Sequence, residues 1–149
     1  MELCGGDKEM EGEAVVDASV VVKWFVEEEH SKEARLLRDA YASGTLDLIA
    51  PSILPYEVLN ALKYSGAFGE EELKEVVGTL DDFQLTFYTL SGDLAKRAVE
   101  LAMRKGITIY DASYVALAES LDALLYTADE RLLRKVKSDS VMHIRDFKP

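Results

Sequence analysis

The chain has 149 residues, enough for one domain with a sizeable core. Hydrophobic residues make up 48% and charged residues 30%, which excludes a disordered chain, and no apolar run approaches the ~20 residues that span a bilayer. With 17 basic and 28 acidic residues the net charge is −11, which argues against a broad, non-specific binder of phosphate backbones.

The first residues, Met1-Glu2-Leu3-Cys4-Gly5-Gly6-Asp7, have no basic n-region and no apolar h-region. They do not read as a secretory signal, and a cytoplasmic location is expected by default. Cys4 is the only cysteine, so no internal disulfide is expected. Residues 1–12 are expected to be a flexible leader, and residues 13–149 a single domain. Glu13 to Asp17 reads as a short buried strand that stops at Asp17. Asp17 or Ser19 suits a helix N-cap, and Val21, Val22, Trp24 and Phe25 fit the apolar face of the helix that follows. Ser31 is expected to cap a helix over 31–43, ended by Gly44.

Leu46 to Ala50 reads as a second strand stopped by Pro51. Ser52 opens a helix carrying Val58, Leu59 and Leu62, with Pro55 in the first turn, where proline is tolerated. Glu57 lies two residues beyond it. Gly66 and Gly69 mark a break, and Glu70 to Leu80 is a further helix. Phe83 to Leu90 alternates and is rich in aromatic and β-branched residues, which predicts a third strand. A helix over 93–105 is closed by Gly106. Asp111 or Thr108 begins the next, which runs through Leu121. Ala123 to Thr127 is the fourth strand, ending at Ala128-Asp129; 130–137 is a short helix and 141–144 a fifth strand. Alternating strands and helices imply an α/β fold: a parallel sheet, right-handed crossovers and helices on both faces.

Four carboxylates stand out by position in this order. Asp17 and Asp129 end strands, Glu57 lies in the first turn of a helix, and Asp111 starts one. In a parallel sheet such positions gather along one edge, where ligands bind. A helix N-terminus favours a negative charge by only about 0.3–1 kcal/mol. Packing several anions together costs more, so a counter-cation is expected. Oxygen-only ligands select Mg²⁺ or Mn²⁺ over zinc. Each acid taken singly also suits an N-cap or a turn. Only the joint placement points to a site. His30 and His143 are read as lying away from that edge.

Val15-Val16-Asp17-Ala18-Ser19-Val20, Pro55-Tyr56-Glu57-Val58-Leu59-Asn60-Ala61-Leu62, Tyr110-Asp111-Ala112-Ser113-Tyr114-Val115-Ala116-Leu117-Ala118 and Tyr126-Thr127-Ala128-Asp129-Glu130-Arg131-Leu132 together resemble the four signature blocks of the PIN domain. Within that family the chain is most similar to VapC-type toxins of prokaryotic toxin–antitoxin pairs. The resemblance implies a three-layer α/β/α fold with a five-stranded parallel sheet. It implies a ribonuclease that uses Mg²⁺ or Mn²⁺, with Asp17, Glu57, Asp111 and Asp129 as the metal site. Ser19, Asn60 and Thr127 match supporting polar positions. It also implies a homodimer, an RNA substrate and a small antitoxin protein that inserts an Arg or Lys toward the carboxylates.

From the residues themselves, Lys23, Lys63 and Arg131 are candidate phosphate contacts at the rim. Trp24, Phe25, Tyr56 and Tyr64 are candidates for an apolar docking groove, or simply for the core. A phosphoryl-accepting receiver domain would need paired acids after the first strand, an Asp ending the third and a Lys ending the fifth. Here Asp17 stands alone, and Thr89-Leu90 and Ile144-Arg145 occupy the other two places. A housekeeping RNA-processing nuclease of the same fold and a non-catalytic PIN scaffold remain as alternatives.

Overall fold

The computed structural model describes residues 12–149; the leader up to Glu11, Cys4 included, lies outside the described residues. Gly12, assigned to the leader by sequence, accepts a hydrogen bond from the Asp47 N–H at 2.9 Å and so is already tied to the sheet. Five strands follow: β1 (Glu13–Val16), β2 (Asp47–Pro51), β3 (Thr86–Tyr88), β4 (Leu124–Thr127) and β5 (Val141–His143). They form one all-parallel sheet in the order β3-β2-β1-β4-β5. β1, β2 and β4 are near-continuous apolar runs because both their faces are covered, and Val15, Val16, Leu48, Ile49 and Leu125 are buried.

The helices among the described residues are α1 (Ala18–Val21, prolonged by a 3-10 turn over Val22–Trp24), α2 (Ser31–Ala42), α3 (Leu54–Ser65), α4 (Glu70–Phe83), α5 (Gly92–Lys105), α6 (Ile109–Leu121) and α7 (Glu130–Val136). α6 packs across β1, β2 and β4 and is itself packed against α5. That sandwiching is why every residue from Ala112 to Ala118 is buried. The chain winds from β1 outward through β2 to β3, then returns to the other side of β1 for β4 and β5. The reversal opens a crevice at the C-terminal ends of β1 and β4, the place where open α/β sheets take their ligands.

Several boundaries differ from the sequence reading, for identifiable reasons. Pro51 does not stop β2 but is its last residue, in register with Tyr88. The Ser52 N–H donates to Tyr88 O, so the missing N–H of Pro51 faces the β1 side, where β1 has already turned into α1. Phe83 ends α4 instead of starting a strand, and its ring packs on Trp24 at 5.0 Å between centroids. β3 shrinks to three exposed edge residues. Ser31 is the first residue of α2, not its cap; its hydroxyl donates to Val26 O and accepts from the Glu28 N–H, both at 2.9 Å, tying down the acidic loop before the helix. Thr108, and not Asp111, caps α6: its hydroxyl accepts the Asp111 N–H at 3.0 Å.

Candidate active site

Asp17 is at once the residue after β1 and the N-cap of α1. Its N–H continues the sheet by donating to Tyr126 O at 3.3 Å, and its Oδ1 accepts from the Val20 N–H at 3.3 Å. Ser19 Oγ donates to the same Oδ1 at 2.6 Å, and Thr127 Oγ1 donates to Oδ2. Each hydroxyl also accepts from the loop that leaves β4: Ser19 from the Ala128 N–H at 2.9 Å, Thr127 from the Asp129 N–H at 3.0 Å. The two hydroxyls therefore lock the carboxylate of one strand end to the backbone of the next. Asp129 then caps α7 by accepting from the Leu132 N–H at 3.1 Å.

Asp17 is 7% exposed, and burial pushes its carboxyl up to about 6 from an ordinary 3.8. The hydrogen bonds from Ser19, Thr127 and Val20 oppose that rise, and Asp111 adds to it. Glu57, in the first turn of α3, is also raised, first by burial and further by Asp111. It is held by Tyr114 of α6, whose hydroxyl donates to Oε1 at 2.6 Å. Burial and Glu57 together drive the Tyr114 hydroxyl far above its ordinary range, so it stays a donor at any physiological pH. Asp111 is raised by burial and then by Asp129, with Thr108 and Arg131 pulling the other way. Asp111 thus feels or is felt by all three other acids, and the structure brings the four into one electrostatic neighbourhood.

The donors of this neighbourhood are carboxylate and hydroxyl oxygens, which suit a hard cation. Among the described residues no three Asp, Glu, His or Cys side chains stand ready around a single point. Mg²⁺ commonly takes only one or two carboxylates and keeps several waters, so it needs no such group of three. The raised carboxyls are what such an ion would relieve.

The remaining candidates divide. Ser19 and Thr127 join the acids. Asn60 is exposed and lines a separate cleft between α3 and α4, with Tyr56, Lys63 and Leu73. Lys23 is buried and paired with Glu28 at 2.8 Å, and the two line a cleft with Ser19 and Ala128. Lys63 lies over the ring of Tyr64 at 4.8 Å. Arg131 lines a small cleft with Asp111 and Asp129. Trp24 is core: its indole N–H donates to Ala34 O at 2.9 Å. Phe25 is half-buried, while Tyr56 and Tyr64 are exposed.

His143 does close β5 at the C-terminal end of the sheet, contrary to the sequence reading. Its ring meets His30 edge-on at 5.0 Å and its Nδ1 accepts the Arg145 N–H. Burial lowers its basicity, with no part in the acidic network. Sequence reasoning missed Tyr114 as a site residue. The available signal was its spacing, three residues after Asp111 and so on the same helix face.

A profile described as the PIN domain matches residues 14–138. The chain is 39% identical over 126 residues to Ribonuclease VapC3 of Pyrobaculum aerophilum, covering 81% of this chain and 92% of that protein. It is 35% identical over 123 residues to Ribonuclease VapC1 of Mycobacterium tuberculosis, covering 80% and 88%. Among solved structures it resembles a toxin–antitoxin complex from Klebsiella pneumoniae, with a TM-score of 0.64 at 17% identity over 88% of this chain and 97% of that one. No helix among the described residues is long and apolar enough to cross a membrane.

Proposed function

The chain belongs to the PIN domain family, and on that footing we propose that it is a metal-dependent endoribonuclease, the toxin of a toxin–antitoxin pair. The observation that carries the reading is the shared field of Asp17, Glu57, Asp111 and Asp129, with Asp17 and Asp129 following β1 and β4, between which the strand order reverses. Asp17 and Asp111 would hold Mg²⁺ or Mn²⁺ directly; Asp129 and Glu57 would bind it through water or orient the nucleophile. The bound ion would activate a water and stabilise charge on the phosphodiester oxygens. Ser19 and Thr127 keep the Asp17 carboxylate aimed, and Tyr114 does the same for Glu57. Arg131, beside Asp111 and Asp129, meets a phosphate. The products are a 5′ phosphate and a 3′ hydroxyl.

The reading carries with it a cytoplasmic homodimer and a small antitoxin whose Arg or Lys reaches the carboxylates. Support comes from the two relatives named ribonucleases and, for the partner, from the toxin–antitoxin complex that shares the fold. The test is cleavage of single-stranded RNA by purified protein with Mg²⁺ or Mn²⁺. Cleavage abolished by EDTA and by Asp17→Asn is expected. Full activity in EDTA overturns the mechanism, and no cleavage in either metal favours a non-catalytic scaffold. Mapping cuts in total RNA separates a toxin from a processing nuclease.

A further inference from the structure

A second cavity, of about 370 Å³, adjoins the acids on the β2–β3 side. Its walls are the ends of β2 and β3 and the first turns of α3 and α6, including Ser52, Tyr56, Thr89, Leu90 and Tyr110. None of its lining residues is charged. Tyr56 is 73% exposed and Tyr110 57% exposed. Scattered exposed aromatics are ordinary on a protein surface. These two flank one cavity, and each is the chain neighbour of a site acid, Tyr56 of Glu57 and Tyr110 of Asp111. The cavity thus lies one residue away along the chain from two of the acids, contains none of them in its walls and is chemically unlike their cleft.

A phosphate has nothing to bind there. An unpaired nucleobase does: its faces are apolar, it is uncharged, and its polar edge would meet the Ser52 and Thr89 hydroxyls. Ser113, the third aliphatic hydroxyl of the wall, already donates to Tyr110 O at 2.6 Å. Charge makes the same point from the other side. A net charge of −11 disfavours a grip on RNA through phosphates alone, which leaves room for uncharged contacts. Base–aromatic stacking is worth about 1–3 kcal/mol per base and is insensitive to that charge.

We propose that this cavity is a nucleobase subsite, in which one unpaired base of single-stranded RNA stacks on Tyr56 and Tyr110 while its phosphate lies among the four acids. The subsite rests on the nuclease reading for its substrate class. It selects single strands, because a base inside a duplex is already paired and stacked.

The test uses the full chain in Mg²⁺ and a short single-stranded RNA carrying one fluorescent adenine analogue, whose emission falls on stacking. Binding and cleavage are read separately. The wild type is expected to quench the analogue, and Tyr56→Leu and Tyr110→Leu to lose the quench. Each should weaken affinity roughly 5- to 150-fold, raising KM more than it lowers kcat. Both side chains are exposed, so both variants should keep the wild-type circular dichroism. A duplex of the same sequence should bind and quench far less. Cleavage by the wild type with unchanged affinity in both variants overturns the subsite and leaves the nuclease reading intact. Quenching without cleavage in Mg²⁺ or Mn²⁺ leaves the subsite standing and overturns the nuclease. A switch from dimer to monomer in Tyr56→Leu or Tyr110→Leu, with the quench unaffected, makes the cavity an interface between copies and overturns the proposal.

Discussion

On one side of Asp111, Thr108, Asp129, Arg131 and Lys135 enclose a cleft of about 100 Å³; on the other, Tyr56, Leu90, Ile109 and Tyr110 line one of about 370 Å³ that has no charged side chain. The first turn of α6 supplies both walls, since successive helical residues point about 100° apart. Asp111 faces the charged cleft, and its neighbour Tyr110 the uncharged one. The larger cavity is thus not where the chemistry is. Four carboxylates leave little room and a strong field; binding a base asks for room and little field. Putting the two tasks side by side on one turn lets substrate grip and bond cleavage be changed independently.

The sharpest way to break that comparison is Asp111→Asn. Asp111 is the acid whose field reaches Asp17 and Glu57 and which is itself raised by Asp129. Its loss should lower RNA cleavage roughly a thousand-fold or more, the scale of losing a metal's stabilisation of the transition state. RNA affinity, measured by the same quench, should hold or rise, because one repelling charge is gone. A variant that binds ten times more weakly while cleaving normally would show that the two clefts are not separate in function.

The next effect is on stability and needs no RNA. The folded Asp17 carboxyl titrates at about 6, against an ordinary 3.8. Between those values the folded protein holds a proton that the unfolded chain has released. This group's contribution is therefore fully present below about pH 4 and is lost as pH rises through 6, by roughly 3 kcal/mol when taken alone. Urea unfolding of the metal-free protein from pH 4.5 to 7 should show the decline relative to Asp17→Asn. Mg²⁺ should restore stability at neutral pH. Parallel pH profiles for wild type and variant would remove the argument that the charged cleft is strained without a cation.

Thr127→Val tests the lock on Asp17. Thr127 is fully buried, and the swap keeps its shape while removing the donor to Oδ2 and the acceptor for the Asp129 N–H. A hydrogen bond to a charged group contributes about 1.5–3 kcal/mol. Supporting residues of this kind commonly change metal affinity or activity about 10- to 100-fold. The Asp17 carboxyl should also move higher, shifting the acid limb of the activity profile upward. An unchanged limb would mean that Thr127 serves packing alone.

The acids at strand ends were legible because the strand itself announces its end: Val15-Val16-Asp17 and Tyr126-Thr127-Ala128-Asp129 switch from apolar to acidic in a few residues. Helix positions were harder. Asn60 lies one turn beyond Glu57, and at 1.5 Å per residue it sits about 4.5 Å further from the sheet edge. It lines the α3–α4 cleft. Tyr114 read as one more apolar residue of a buried helix; its spacing from Asp111 marked the shared face but not Glu57 as the partner of its hydroxyl. Lys23 looked like a free rim cation because its partner, Glu28, is set by a loop and not by a helical spacing. Phe83 failed for a different reason: a short aromatic-rich run has no period long enough to separate a helix end from a strand.

The smallest effect separates phosphate contact from metal holding inside the charged cleft. Arg131 is exposed, lines that cleft beside both Asp111 and Asp129, and lowers the Asp111 carboxyl. If it meets a phosphate, Arg131→Gln should reduce kcat/KM about five- to tenfold, close to 1 kcal/mol, and reduce the salt dependence of RNA binding by about one phosphate contact. The quench from the uncharged cleft should be untouched. If Arg131 serves instead to offset the acids, its removal should raise metal affinity and leave the salt dependence alone. The two outcomes move different measurements, so one titration of RNA against salt and one of metal decide which neighbour the guanidinium serves.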